Sequence, residues 1–270
     1  MTVSRRLLLR AALGLGAGLT GVTGAAWAFQ RELLYDPGPD AGRLRLKGEP
    51  VQAVHLRTAD HQRLTGWYLP PVGDRPVMLF LNGRVGGLAL QAGRWRRIAR
   101  QGVGFLAINY RGYGGSSGRP TEQGLNLDAR AAYAWLSRRL RAERIVIHGY
   151  SLGTGVAVRL AAGHSARALI LEAPFTALED VIDQKALGLP VGLLLRDPYR
   201  SRDWIDKVTA PVLIVHGDRD SVVPFEEGQT LFGLAHQPKA FVRIAGGDHN
   251  TLTRDGLYDH VWRFLDVAAP

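Results

Sequence analysis

Cysteine is absent from the chain, which removes a thiolate nucleophile, a cysteine-ligated zinc, an iron–sulfur cluster and every disulfide from consideration. The redox compartment stays open. There is also no P-loop, no H-E-x-x-H helix and no EF-hand loop, so no metal and no cofactor is expected. The series Gly14, Gly16, Gly18 follows no strand and does not suggest a dinucleotide site. Acidic residues are the scarcer charge, 24 against 34 Lys and Arg, for a net charge of +10. The excess is scattered and mostly arginine. Its densest groups are Arg94, Arg96, Arg97 and Arg100, then Arg138, Arg139, Arg141 and Arg144; they fall on or just after expected helices without a recognised nucleic-acid motif. They read as solvated surface, and no nucleic-acid partner is expected.

What remains is a chain that is 46% hydrophobic with 33 glycines and 14 prolines, the composition of a folded protein with many tight turns. Its 270 residues suit one sizeable core. The N-terminus is the non-globular exception. Arg5, Arg6 and Arg10 precede Ala11 to Phe29, a run without charge. At about 1.5 Å per residue it just reaches across a hydrocarbon core of about 30 Å. Ser4-Arg5-Arg6 resembles a twin-arginine export signal, and Ala26-Trp27-Ala28 a peptidase cleavage site. Residues 1–29 are therefore expected to be an export signal or a membrane anchor. Either role puts the rest on the periplasmic or extracellular side, with the arginines left in the cytoplasm. The alternative is a cytosolic protein with a buried N-terminal helix. Residues 30–50, rich in Gly, Pro and Arg, read as a linker.

From residue 51 to 270 strand-like and helix-like segments alternate. Val51 to Arg57 and Leu64 to Leu69 read as a hairpin. Val77 to Leu81, Val103 to Asn109, Arg144 to His148, Ala168 to Glu172, Val212 to His216 and Ala240 to Ile244 read as parallel strands buried on both faces. Leu125 to Leu140 carries apolar residues at helical spacing, with Thr121 as a candidate N-cap. The pattern implies a mostly parallel central sheet with helices on both faces and ligands at the carboxyl ends of the strands. Residues 173–204 break the alternation around Pro190 and read as a small cap insertion.

Gly149-Tyr150-Ser151-Leu152-Gly153 lies between an apolar strand run and a helical run, the setting of a nucleophile elbow. The turn is so tight that the positions two before and two after the serine must lack bulky side chains. A serine hydroxyl needs a base, and the base a carboxylate. Both follow in Ser, Asp, His order: Asp220 after the strand Val212 to Val215, and His249 after the last strand. Asp218 and Asp248 are rival acids that suit turn roles, and His260 is the reserve base. The developing oxyanion needs two backbone N–H donors. The expected ones are Leu152 and Arg84, the latter in the loop Asn82 to Gly87.

The motif Asn109-Tyr110-Arg111-Gly112-Tyr113-Gly114-Gly115-Ser116-Ser117-Gly118, with the elbow, the His216-Gly217-Asp218-Arg219-Asp220 stretch and His249, resembles α/β-hydrolase-domain proteins. Within them it is similar to membrane-anchored, depalmitoylase-like and serine-aminopeptidase-like hydrolases. Asn109 stands where that family has aspartate, and Asn82-Gly83 where it commonly has His-Gly. The resemblance implies the α/β-hydrolase fold and a serine hydrolase cleaving an ester or thioester through an acyl-enzyme on Ser151. A peptidase or amidase with the same triad is one alternative, and a non-catalytic membrane-tethered binding protein is another. Expected partners are a small-molecule or acylated substrate, and a membrane through the N-terminal segment. Acyl length and oligomeric state are not legible.

Overall fold

Strands that are apolar at every position can only sit where both sheet faces are covered. Met78 and Phe80 of Val77–Leu81 enter one core while Val77, Leu79 and Leu81 enter the other. The computed structural model describes residues 27–38, 51–185 and 191–266, together with Gly24 and Leu46. Within them the strands are β1 (Gln52–Arg57), β2 (Arg63–Leu69), β3 (Val77–Leu81), β4 (Gly104–Ile108), β5 (Ile145–Tyr150), β6 (Ala168–Glu172), β7 (Val212–Gly217) and β8 (Lys239–Ile244). They form one sheet in the order β1-β2-β4-β3-β5-β6-β7-β8. The β1–β2 and β2–β4 pairs are antiparallel and every other pair is parallel.

The helices are α1 (Ala92–Arg100), α2 (Glu122–Ser137), α3 (Leu152–Ala161), α4 (Leu178–Lys185), α5 (Phe225–Leu234) and α6 (Leu257–Leu265). Helices α2 and α3 bury Leu125, Ala129, Leu136 and Val156 on one face of the sheet; α1 and α6 bury Trp95, Ile98, Tyr258 and Val261 on the other. Thr121 caps α2 through its hydroxyl, which accepts from the Gly124 amide at 2.9 Å. The helix therefore starts at Glu122, a turn before its apolar pattern begins.

The topology decides where a site can form. After β3 the chain moves to one side to lay down β4, then returns to the other side for β5, so the loops leaving β3 and β5 diverge and open a crevice between them. The loop after β3 carries Arg84, and the turn after β5 carries Ser151.

The segment read as a linker is ordered against the domain in its described part. Residues 27–34 are helical. Arg31 makes a two-pronged ion pair with Asp197 at 2.7 and 2.9 Å, and the buried Tyr35 hydroxyl meets that of Tyr199 at 2.8 Å. Asp36 forms a parallel bridge with Val85. Of the expected Ala11–Phe29 span, only Gly24 and residues 27–29 are described, and the rest lies outside the described residues. Among the described residues no helix is long and apolar enough to cross a membrane. Of the expected cap, Leu187, Leu189 and Pro190 also lie outside the described residues. Its remainder is α4 and short 3-10 turns.

Candidate active site

Ser151 occupies the turn between β5 and α3 with φ 51° and ψ −123°, a conformation an L-residue adopts only when its surroundings impose it. The surroundings are visible. Its amide donates to the Glu172 carbonyl at 2.9 Å, and its carbonyl accepts from the amide and hydroxyl of Thr154 at 2.8 and 2.6 Å. A Cβ on Gly149 would stand 2.6 Å from the Gly153 carbonyl oxygen, and one on Gly153 would stand 2.1 Å from that of Leu81. Only glycine lets the strand, the turn and the β3 exit loop pass this closely.

His249, in the loop after β8, reaches both partners. Its Nε2 is 2.9 Å from the Ser151 hydroxyl oxygen, and its Nδ1 is 2.8 Å from Asp220 Oδ2. The Asp220 carboxylate also accepts from the amides of Val222 and Val223, both at 2.8 Å, and lies 3.3 Å from His216 Nε2. Burial alone would raise its pKa, but the contacts with His216, His249 and Val223 outweigh it and hold the group well below the usual carboxylate range. The ring of Tyr150 lies 5.5 Å from that of His249, and its hydroxyl donates to Asn250 Oδ1 at 2.8 Å, bracing the histidine loop.

The rival residues face elsewhere. Asp218 accepts from Arg243 Nε and the Gly246 amide, both at 2.7 Å, and Asp248 from the amide and hydroxyl of Ser221, both at 2.8 Å. His260 sits on α6 beside Arg263, 3.0 Å away.

Leu152 is the first residue of α3, where backbone N–H groups have no intrahelical acceptor. Among the described residues neither its N–H nor that of Arg84 makes a hydrogen bond. The loop bearing Arg84 presses on Ser151, since a Cβ on Gly83 would be 3.3 Å from Ser151 Cβ. Its position is set from outside. The Arg84 carbonyl accepts from the Asp36 amide at 3.1 Å and the Tyr113 hydroxyl at 2.7 Å, while the Gly86 amide donates to the Asp36 carbonyl at 2.7 Å. Asn82 closes the loop from within, donating to the Val85 carbonyl at 3.0 Å. Asn109 likewise stays within its neighbourhood, donating to Thr65 Oγ1 and the Gly114 carbonyl, both at 3.1 Å.

The model of the alpha/beta hydrolase fold matches residues 76–190. An uncharacterised protein of Mycobacterium tuberculosis, MT2364, is 38% identical over 261 residues, covering 93% of this chain and 92% of its own. Human alpha/beta hydrolase domain-containing protein 17B is 36% identical over 215 residues, 78% of this chain and 69% of its own. The chain belongs to the α/β-hydrolase family. Among solved structures, the Pyrococcus furiosus esterase Pf2001 superposes with a TM-score of 0.72 over 88% of this hydrolase and 99% of its own chain, at 20% identity, a likeness of fold.

Arg94 departs from the surface reading. Arg96, Arg97 and Arg100 of α1 are exposed, but Arg94 is 3% exposed and pairs with Glu172 at 2.7 and 3.1 Å. It also donates to the Tyr258 hydroxyl at 3.1 Å and lies over the Phe80 ring at 4.7 Å. Burial opposes ionisation of Glu172, but the Arg94 charge prevails and lowers its pKa to about 2. His148, wholly buried beside them, is held below its ordinary pKa by desolvation. The pair underlies the hydrolase's elbow, because the carbonyl of Glu172 holds the Ser151 amide. Two signals in the sequence point to it. Arg94 shares the inward face of α1 with Trp95 and Ile98, and Glu172 ends a strand that is otherwise wholly apolar.

Two clefts meet at Ser151. One, of 470 Å³, is walled by Leu34, Phe175, Leu178, Val181, Ile182 and Leu195. The other, of 640 Å³, runs past His249 between the β3 exit loop, α1 and the segment from Asn250 to Arg254. Among the described residues no group of three or more His, Asp or Glu side chains is arranged to hold a metal ion.

Proposed function

We propose that this hydrolase cleaves carboxylic esters or thioesters through an acyl-enzyme on Ser151. The observation that carries the reading is the position of one imidazole, 2.9 Å from the serine oxygen on one side and 2.8 Å from a buried carboxylate on the other. With its Nδ1 proton held by Asp220, the ring presents an unprotonated Nε2 to the hydroxyl. His249 takes the proton as the serine oxygen bonds to the carbonyl carbon, and returns it to the departing alcohol or thiol. Water then repeats the exchange and releases the acid. The amides of Leu152 and Arg84 donate to the oxyanion, and removing one such donor in comparable enzymes costs roughly 3 to 4 kcal/mol. The apolar cleft takes the acyl chain. Its walls from Phe175 to Ile182 and at Leu195 belong to the cap, and Leu34 belongs to the segment read as a linker.

The test uses p-nitrophenyl esters of graded length beside aminoacyl anilides, with fluorophosphonate labelling of wild type and Ser151→Ala. Ester turnover and labelling, both lost in the variant, are the expected result; labelling that survives the substitution sinks the serine assignment. Anilide turnover outrunning ester turnover would redirect the reading to an amidase. The reading also places the catalytic domain across a bacterial-type membrane, on the strength of Arg5, Arg6, Arg10 and the uncharged run after them. Protease added to intact cells with a permeabilised outer envelope should digest it, and full protection would refute that placement.

A further inference from the structure

We propose that the leaving group of the substrate carries an anion, a phosphate or a carboxylate, bound by Arg97 and Arg254 in the larger cleft; the proposal rests on the ester-hydrolase reading above. The direction in which the substrate lies follows from proton transfer. His249 must hand its proton to the departing oxygen or sulfur, so the leaving group lies on the side His249 faces. His249 lines the 640 Å³ cleft and not the 470 Å³ one, whereas Leu152 lines only the latter. The acyl chain therefore runs into the apolar cleft, and the alcohol or thiol portion occupies the other.

That second cleft is cationic. Arg84, Arg97 and Arg254 are exposed along it, with Arg94 at its floor. Among the described residues its one lining carboxylate is Glu172, which Arg94 neutralises in a two-pronged pair at 2.7 and 3.1 Å. Among the described residues, Arg97 makes no ion pair, and Arg254 uses Nε for Asp255 at 2.9 Å, leaving its terminal nitrogens unbonded. Walls of low polarisability focus the field of such charges into the cleft, where an exposed arginine elsewhere is screened. Asn250 and Thr253 add polar side chains beside them. Acylation balances without a further reactant. The Ser151 oxygen bonds to the carbonyl carbon, the bond from that carbon to the leaving oxygen breaks, and the serine proton passes through His249 to the leaving oxygen. The products are the acyl-enzyme and an alcohol that still carries its anion. Water then releases the acid.

The experiment compares kcat/KM for octanoyl esters of glycerol, of glycerol 3-phosphate and of 3-hydroxypropanoate, in wild type, Arg97→Gln/Arg254→Gln and Arg57→Gln/Arg138→Gln. The last variant loses the same charge from exposed positions that line neither cleft. The expected result is a preference of about tenfold or more for an anionic over the neutral ester in wild type, expressed mainly in KM. It falls at least about fivefold in Arg97→Gln/Arg254→Gln and persists in Arg57→Gln/Arg138→Gln. A preference confined to the glycerol 3-phosphate ester identifies phosphate as the anion; one confined to the 3-hydroxypropanoate ester identifies carboxylate. Ser151-dependent hydrolysis of all three at equal rates overturns the anion assignment and leaves the hydrolase reading intact. So does an equal fall in both double variants, which would make the preference a matter of net charge. No Ser151-dependent hydrolysis of any ester, with no fluorophosphonate labelling, overturns both readings.

Discussion

Replacing Arg94 by leucine leaves the buried Glu172 carboxylate without its cation, beside His148, whose pKa burial holds below its ordinary value. Glu172 sits at a pKa of about 2, against 4.5 for the free side chain. At about 1.4 kcal/mol for each pH unit, the depression corresponds to about 3 kcal/mol of stability at neutral pH. The sign follows from the depressed carboxyl: this increment is whole above pH 4.5 and drains away as the pH falls towards 2. Breaking one side of a buried ion pair costs about 3 to 5 kcal/mol in other proteins, so the two routes agree. For a domain of this size that is a fall in Tm of about 6 to 12 °C. Urea unfolding followed by tryptophan fluorescence at pH 7 should show the loss in Arg94→Leu. The gap to wild type should narrow as the pH is lowered through 4. Arg94→Leu/Glu172→Leu, which removes both charges, should regain more than half of it. A single-variant loss below about 1 kcal/mol, or a gap that does not change with pH, would refute the account of the pair as a buried charge held by its partner.

Gly153→Ala places a methyl 2.1 Å from the Leu81 carbonyl and 2.5 Å from that of Asn82. The β3 exit loop must move, so stability should fall by about 1 to 3 kcal/mol and, with the Arg84 amide displaced, ester kcat by about 100-fold. Unchanged turnover would show that the loop does not serve the oxyanion. In Asp220→Asn an amide replaces a carboxylate that accepts from His249 and two backbone amides. The favoured histidine tautomer is lost, and kcat should drop by about 10⁴-fold with little change in KM. A drop of less than tenfold would reassign the acid.

The parts of the site legible in the sequence are those with local causes. The glycines at 149 and 153 are demanded by the passage of neighbouring backbone, and such a demand leaves a pattern within five residues. Buried parallel strands appear as unbroken apolar runs because both of their faces are covered. The start of α2 is legible in the capping residue Thr121 and not in the apolar period, which begins a turn later at Leu125. Asp220 and Asp218 could be ranked but not separated, since both lie on one short loop. Their hydrogen bonds, to His249 in one case and Arg243 in the other, depend on where β8 and its exit loop run.

Taken alone, the amino-acid order settled the fold family, the alternation of strand and helix, and which serine stands on a strained turn, because each follows from neighbours in the chain. Tertiary structure alone decided three things. Arg94 is a core residue because Glu172, 78 positions later, waits opposite it. The segment up to Asp36 clamps the loop that carries the Arg84 amide. Two clefts of different lining, one with His249 and one with Leu152, meet at one serine. Contacts of that kind join residues with no relation in sequence, and their energies depend on burial and distance, which exist only once the chain has closed on itself.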